Sequence, residues 1–292
     1  MFLLIMKNIV LGGAQFGQLS QRNLNRLLDY AVSVGIKTID TAPMYYGSEN
    51  LIGSYSKRSA FAINTKCGMP AHPSLFEGKY LKNQIIESLR KLKVDFIETL
   101  FVHSIPSEYL TSESLEVLNT FKMKGYVKSI GYSGHGPDLK KASRNLVFEK
   151  YMFTFNALDI TDKQSFGVNN SDLLIKRPLA NGVFNDAILI IFKKHIRTAV
   201  HKKRKHGENS YEFRFSKMKK FIDSDVSHLE YFLKFIEYYY PDSKYVLGTS
   251  STKHLNQVVA VMNKHSDNNS SFEIYFTELC RMSKKYKWQA LP

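Results

Sequence analysis

The stretch "KTIDTAPMYYGSENLIG" (37–53) holds one complete strand–loop–helix unit. "KTID" (37–40) reads as a short strand, and Ser48 is placed to cap a helix through Leu51 and Ile52, because its hydroxyl can accept a free N–H of the first turn. Between them lie an acid at the strand end, Asp40, and two adjacent phenols, Tyr45 and Tyr46. That is more chemistry than a strand needs in order to turn into a helix.

Outward from this unit the same alternation repeats. Short apolar, β-branched runs occur at 8–13, 59–66, 96–103, 127–133, 151–156, 172–177 and 244–250. Amphipathic stretches separate most of them, with Leu24, Leu27, Leu28, Ala31 and Val32 sharing one face of a helix over about 20–34, and Leu81, Ile85, Leu89 and Leu92 sharing another. Further helices are expected over 112–124, near 138–147 and from Thr252. Continuous apolar strands between such helices imply parallel pairing buried on both faces. Eight units predict a closed (β/α)8 barrel, a TIM barrel, rather than an open sheet. With no repeat or linker to divide it, the chain reads as a single domain over 1–292, with a basic helical insertion around 192–220 and a C-terminal tail over 271–292.

Composition narrows the class. The 292 residues are 43% hydrophobic with eight prolines, enough to bury a sizeable core. Two cysteines are too few for a disulfide framework and point to a reducing compartment. Cys67 has two readings: a thiol activated by Lys66, or a small buried residue at a strand end. The N-terminal "MFLLIMKNIV" lacks the basic start and cleavage site of a secretory signal, and reads as an N-terminal strand of a cytoplasmic protein. No run approaches the ~20 apolar residues of a membrane helix. The formal charge is +15, and much of the basic charge sits in 192–220 with no nucleic-acid motif; such a run is most often a solvated helix face or an insertion, and attraction of an anionic cofactor or substrate is as good a use of it as polyanion binding.

In a barrel of this kind, chemistry belongs at the C-terminal ends of the strands. Asp40, Lys66 and His103 end the second, third and fourth strands, and Tyr45 follows the second. All are expected to meet at one mouth. No metal-ligand set is read from the sequence.

These residues carry a resemblance. "GIKTIDTAPMYYGSENLIG" (35–53) resembles the signature of the aldo/keto reductase family, and "INTKCG" (63–68) its lysine strand. "LKVDFIETLFVH" (92–103), "GYVKSIGYSG" (125–134), "RPLANGVF" (177–184) and "YVLGTSSTKHLNQVV" (245–259) are similar to its later segments, in order. The resemblance implies a nicotinamide cofactor across the barrel mouth and hydride transfer to an aldehyde or ketone. In the family's register the proton-donating tyrosine is Tyr45, and Tyr46 lines the pocket or packs against the loop. A free phenol has a pKa of about 10, so it needs a nearby positive charge. Lys66 would supply that charge, Asp40 would pair with Lys66, and His103 would hydrogen-bond the carbonyl oxygen.

For the cofactor, the resemblance implies Ser133 and Asn156 near the nicotinamide. It places Gly248, Thr249, Ser250 and Ser251 at the phosphates, and Lys253 at a 2′-phosphate, favouring NADPH with NADH as the alternative. Gly134, Met152 and Val258 stand where the family has amide side chains. These three departures keep open a second reading, a cofactor-binding sensor or regulatory barrel with little turnover. The expected partner is a small polar, sugar-like carbonyl compound, with neither nucleic acid nor membrane.

Overall fold

The structure, a computed structural model, describes residues 6–163, 172–184, 207–222, 226–263, 270–289 and 291. Eight strands close into a barrel in sequence order: β1 (Ile9–Gly12), β2 (Thr38–Asp40), β3 (Ala62–Cys67), β4 (Ile97–His103), β5 (Val127–Ser133), β6 (Lys150–Thr154), β7 (Leu173–Lys176) and β8 (Lys244–Gly248). Every neighbouring pair is parallel, and β8 closes on β1. The TIM-barrel expectation holds.

The helices form as their sequence spacing requires. Helix α1 (Gln21–Ser33) buries Leu24, Leu27, Leu28 and Ala31 on the barrel, and Ser20 caps it by accepting from the Asn23 amide. Each leucine taken fully out of water contributes about 1.5–3 kcal/mol. After α2 (Ser48–Gly53) come α3 (Gly78–Leu92) and α4 (Ser112–Met123). The later helices are α5 (Gly136–Ala142), α6 (Tyr211–Met218), α7 (His228–Tyr239), α8 (Thr252–Met262) and α9 (Ser270–Tyr286).

Several local expectations are corrected. Ser48 does not cap α2: the cap is Gly47, at a left-handed φ of 71°, and the Ser48 hydroxyl is buried 2.8 Å from that of Thr41. The helix expected near 138–147 starts and ends earlier. Pro137 opens its first turn, and Asn145 diverts the chain by accepting from the Val147 amide. Residues Arg58–Ala60 form a 3-10 turn rather than strand, with Arg58 Nε donating to the Lys93 carbonyl. Met6–Asn8 is also a 3-10 turn, so the N-terminal strand begins at Ile9. Of the basic stretch 192–220, residues 192–206 lie outside the described residues; the remainder contains α6.

Candidate active site

Alternation along the strands decides which side chains reach the mouth. Val10, Phe101, Met152 and Leu174 form an apolar cluster inside the barrel. Lys66 pairs in register with Phe101, Asp40 pairs with Gly12 two residues beyond Val10, and His103 lies two beyond Phe101. All three therefore point inward above that cluster. Cys67, one residue after Lys66, faces the opposite way. It is fully buried, and burial pushes its thiol up, which removes the activated-thiol reading.

Lys66 Nζ donates to Asp40 Oδ2 at 2.5 Å and to the Thr41 carbonyl at 2.8 Å, with both side chains buried. Burial works against the ammonium, but the attraction of Asp40, and then of Tyr45, holds the Lys66 pKa above its ordinary value. The Tyr45 ring centroid is 5.0 Å from Lys66 Nζ, and its edge meets His103 at a centroid distance of 6.2 Å. His103 is pushed down to about 3, first by burial and then by the charges of Lys66 and Lys176. It is a neutral imidazole throughout the ordinary pH range. Tyr46 is 91% exposed and points away from this group.

The loop carrying Tyr45 is fixed from three sides. Ser48 meets Thr41, and Glu49, buried in the first turn of α2, accepts from the Thr65 hydroxyl at 2.8 Å. The turn after β1 packs so tightly that a Cβ on Gly17 would fall 1.5 Å from the Tyr46 carbonyl oxygen. The Ser-Glu pair of the motif is thus a mechanical tie. It contributes no reacting group.

The remaining sites are more varied. Ser133 is buried at the end of β5, and its carbonyl accepts from the Ser104 amide and hydroxyl. A Cβ at Gly134 would meet the Tyr132 ring at 2.4 Å, so no side chain fits there while Tyr132 stays bonded to the Ile105 carbonyl. Met152 is sealed in the apolar cluster. Asn156 is wholly buried; its Nδ2 donates to the Arg177 carbonyl and the Tyr211 hydroxyl, and its Oδ1 accepts from Leu158. Both of its donors are spent on the chain itself.

At the end of β8 the fit to a phosphate is better. A Cβ on Gly248 would meet nothing within 4 Å. Ser251 makes no side-chain cap bond, and the first turn of α8 contains no acid, so its N–H groups and positive dipole end are available to an anion. The exposed Lys253 stands in that turn, while Val258 is packed in the core.

The strand reading passed over one residue. Lys176, at the inner end of β7, shares the face of Leu174 and pairs with Thr154 and Val246. Burial, then the neighbouring Arg177, pushes it down to about 8. The alternation that brings Lys66 inward applies equally to "LLIK" and was the signal available.

The C-terminal tail lies on the same side. The buried Arg214 holds the Leu158 carbonyl, Asn209 and the Gln289 carbonyl, and faces Asp159 at 3.4 Å. Leu291 donates to Asp159 and accepts from Arg177. Trp288 packs over the Arg214 guanidinium at 5.1 Å.

Residues 8–273 match the model of the aldo/keto reductase family, and the chain belongs to that family of NAD(P)-dependent oxidoreductases. Its sequence is 30% identical over 132 residues to the L-galactose dehydrogenase of Arabidopsis thaliana, covering 42% of this chain and 41% of that one. It is 29% identical over 145 residues to the D-arabinose 1-dehydrogenase of Saccharomyces cerevisiae, covering 44% and 43%. These alignments span less than half the length of either relative. An aldo-keto reductase of Bacillus halodurans in its holo form superposes with a TM-score of 0.75 at 19% identity, over 93% of this chain and 91% of that one. An aldo-keto reductase of Klebsiella pneumoniae in complex with NADPH gives 0.63 at 16%, over 97% and 92%. At these identities the likeness is one of fold.

Proposed function

We propose that this protein reduces the aldehyde or ketone of a small polar, sugar-like molecule, or oxidises the corresponding alcohol, with Tyr45 as the proton donor. The observation that carries this reading is the contact of Tyr45 with the buried Lys66–Asp40 pair on one side and His103 on the other. Asp40 and the Thr41 carbonyl hold Lys66 charged and in place. That charge stabilises the phenolate left when Tyr45 gives its proton to the developing alkoxide. His103, being neutral, can offer an N–H to the same oxygen. A bound nicotinamide cofactor supplies the hydride.

Gly248–Ser251 and the start of α8 would hold its phosphates, and Ser133 would lie near its ring. Lys253 supports NADPH over NADH, as does the NADPH complex of the Klebsiella relative. The sugar-like substrate is supported by the names of the two curated relatives, L-galactose and D-arabinose dehydrogenases. The walled Gly134 and the sealed Met152 favour a second reading, a cofactor-binding sensor with little turnover.

Fluorescence titration with NADPH and NADH, followed by cofactor oxidation with a panel of aldoses and simple aldehydes, separates the two. Tight binding with turnover abolished by Tyr45→Phe supports the reductase. Tight binding without turnover of any carbonyl supports the sensor, and binding of neither cofactor rejects both.

A further inference from the structure

The last described residues are held by their backbone. The Gln289 amide donates to Asn209 Oδ1 at 2.9 Å, and its carbonyl accepts from the buried Arg214 guanidinium. Two residues on, the Leu291 amide donates to Asp159 Oδ2 at 3.1 Å, and its carbonyl accepts from Arg177 Nη1 at 2.7 Å. The Gln289 side chain itself is exposed. Four side chains thus take up both polar groups of two alternate residues: Asp159 follows β6, Arg177 follows β7, Asn209 precedes α6 and Arg214 lies in it. Trp288 is closed against Arg214 at 5.1 Å and stacked on Tyr286 at 6.0 Å.

The contact with Arg177 reaches a strained turn. Arg177, Ala180 and Asn181 have φ of 57°, 45° and 57°, in the left-handed region that residues other than glycine rarely adopt. Such a conformation lasts only where the surroundings impose it. Within the turn, Ala180 donates to the Arg177 carbonyl and Gly182 to that of Leu179. From outside, Arg177 is held at both ends: Asn156 donates to its carbonyl at 3.0 Å, and the tail takes its guanidinium. In the barrel, the ends of β6 and β7 lie between those of β5 and β8. A cofactor with its ring near Ser133 on β5 and its phosphates on 248–251 after β8 has to cross them, passing this turn.

We propose that Arg214, Asp159 and Arg177 are positioning residues that use the tail backbone as a strap, which holds the turn 177–182 in the form that receives the cofactor. This rests on the cofactor placement in the reading above. Arg214 and Asn209 fix Gln289, Asp159 fixes Leu291, and Leu291 in turn fixes Arg177. The strap acts through its peptide groups, so the side chains at 289 and 291 can change while their N–H groups cannot.

The test strips those N–H groups. Gln289→Pro with Leu291→Pro removes both donors, while Gln289→Ala with Leu291→Met keeps them and serves as the control. Trp288 is the only tryptophan of the chain, so its emission reports the strap directly. It is expected to shift to longer wavelength in the proline variant and to stay in place in the control. Calorimetric titration with NADP+ is expected to show binding at least about 5-fold weaker in the proline variant, the lower end of coupling between linked sites, and unchanged in the control. Arg177→Met should weaken binding to a similar degree, and adding it to the proline pair should weaken it no further, because both break one link. Where turnover is measured, the loss falls on KM for NADPH and leaves kcat in place.

An emission shift with wild-type affinity for NADP+ overturns the proposal, as does a proline variant whose emission stays put. So do additive losses, which would mean that Arg177 meets the cofactor itself. A wild-type protein that binds no nicotinamide cofactor overturns the strap and both readings above together. Coupled losses of affinity in a protein that reduces no carbonyl uphold the strap and overturn the reductase alone. Turnover with an idle strap does the reverse.

Discussion

The two halves of the barrel mouth hold their buried lysines differently. On the β2–β4 side Lys66 is tied to Asp40 and Thr41, with Thr65 tied to Glu49 and Ser48 to Thr41. On the β5–β7 side Lys176 has no carboxylate within 4.0 Å among the described residues. Unpartnered buried polar atoms occur on both sides among the described residues: Asp40 Oδ1, Asn64 Oδ1 and His103 Nδ1 on the first, Thr154 Oγ1 and Asp162 Oδ2 on the second. A buried cation held by its own acid suits a group that must not move during chemistry. A cation left without one is free to answer a charge that arrives from outside.

Substitutions can break or sharpen that contrast. The largest effect is expected from Tyr45→Phe, which should lower kcat by about 10²–10⁴-fold. Tyr46→Phe, at the exposed neighbour, should stay close to wild type; the reverse outcome would move the proton donor by one residue. Lys66→Met leaves the Asp40 carboxylate buried and unpaired, so besides losing turnover it should cost about 3–5 kcal/mol of stability in urea melts.

His103 gives a pH signature. Its folded pKa, about 3, lies below the ordinary 6.5, so the unfolded chain binds the extra proton. Its contribution to stability is complete above pH 6.5 and is lost as pH falls towards 3. His103→Phe should flatten the stability profile in that window, and an unchanged slope would remove this assignment.

The smallest pair is the most direct comparison. Thr65→Val strips a hydrogen bond from the buried Glu49 and should cost about 1–3 kcal/mol. Thr154→Val removes a hydroxyl that has no partner among the described residues and should be neutral or slightly stabilising. Equal losses of stability at both positions would erase the distinction between the bonded and the unbonded hydroxyl.

How much of this was legible beforehand follows the physics of each feature. The eight strands announced themselves because buried parallel strands are continuous apolar runs, and Asp40, Lys66 and His103 because each ends one. Tyr45 could be chosen over Tyr46 only through family register, since both phenols share one loop. Ser48 was misread because a hydroxyl at a helix start reads as a cap, whereas here a tertiary partner, Thr41, claims it. Asn156 looked like a ligand-facing amide, but its partners, Arg177 and Tyr211, come from distant parts of the chain that no local pattern exposes. Lys176 went unremarked because a lysine beside an arginine at a strand end resembles an exposed edge.

The close approach of Gly17 to Tyr46 has a consequence for how this sequence can vary. Position 17 lies in the turn after β1 and carries no reacting group, yet any side chain there would collide with the backbone of the loop that presents Tyr45. In a saturation library sorted for folded protein, substitutions at 17 that shift only this loop should survive. Sorted for turnover, the same library should retain glycine alone. Drift at position 17 is therefore gated by activity rather than by solubility, and the two sorts together would reveal this constraint without a substrate contact being known.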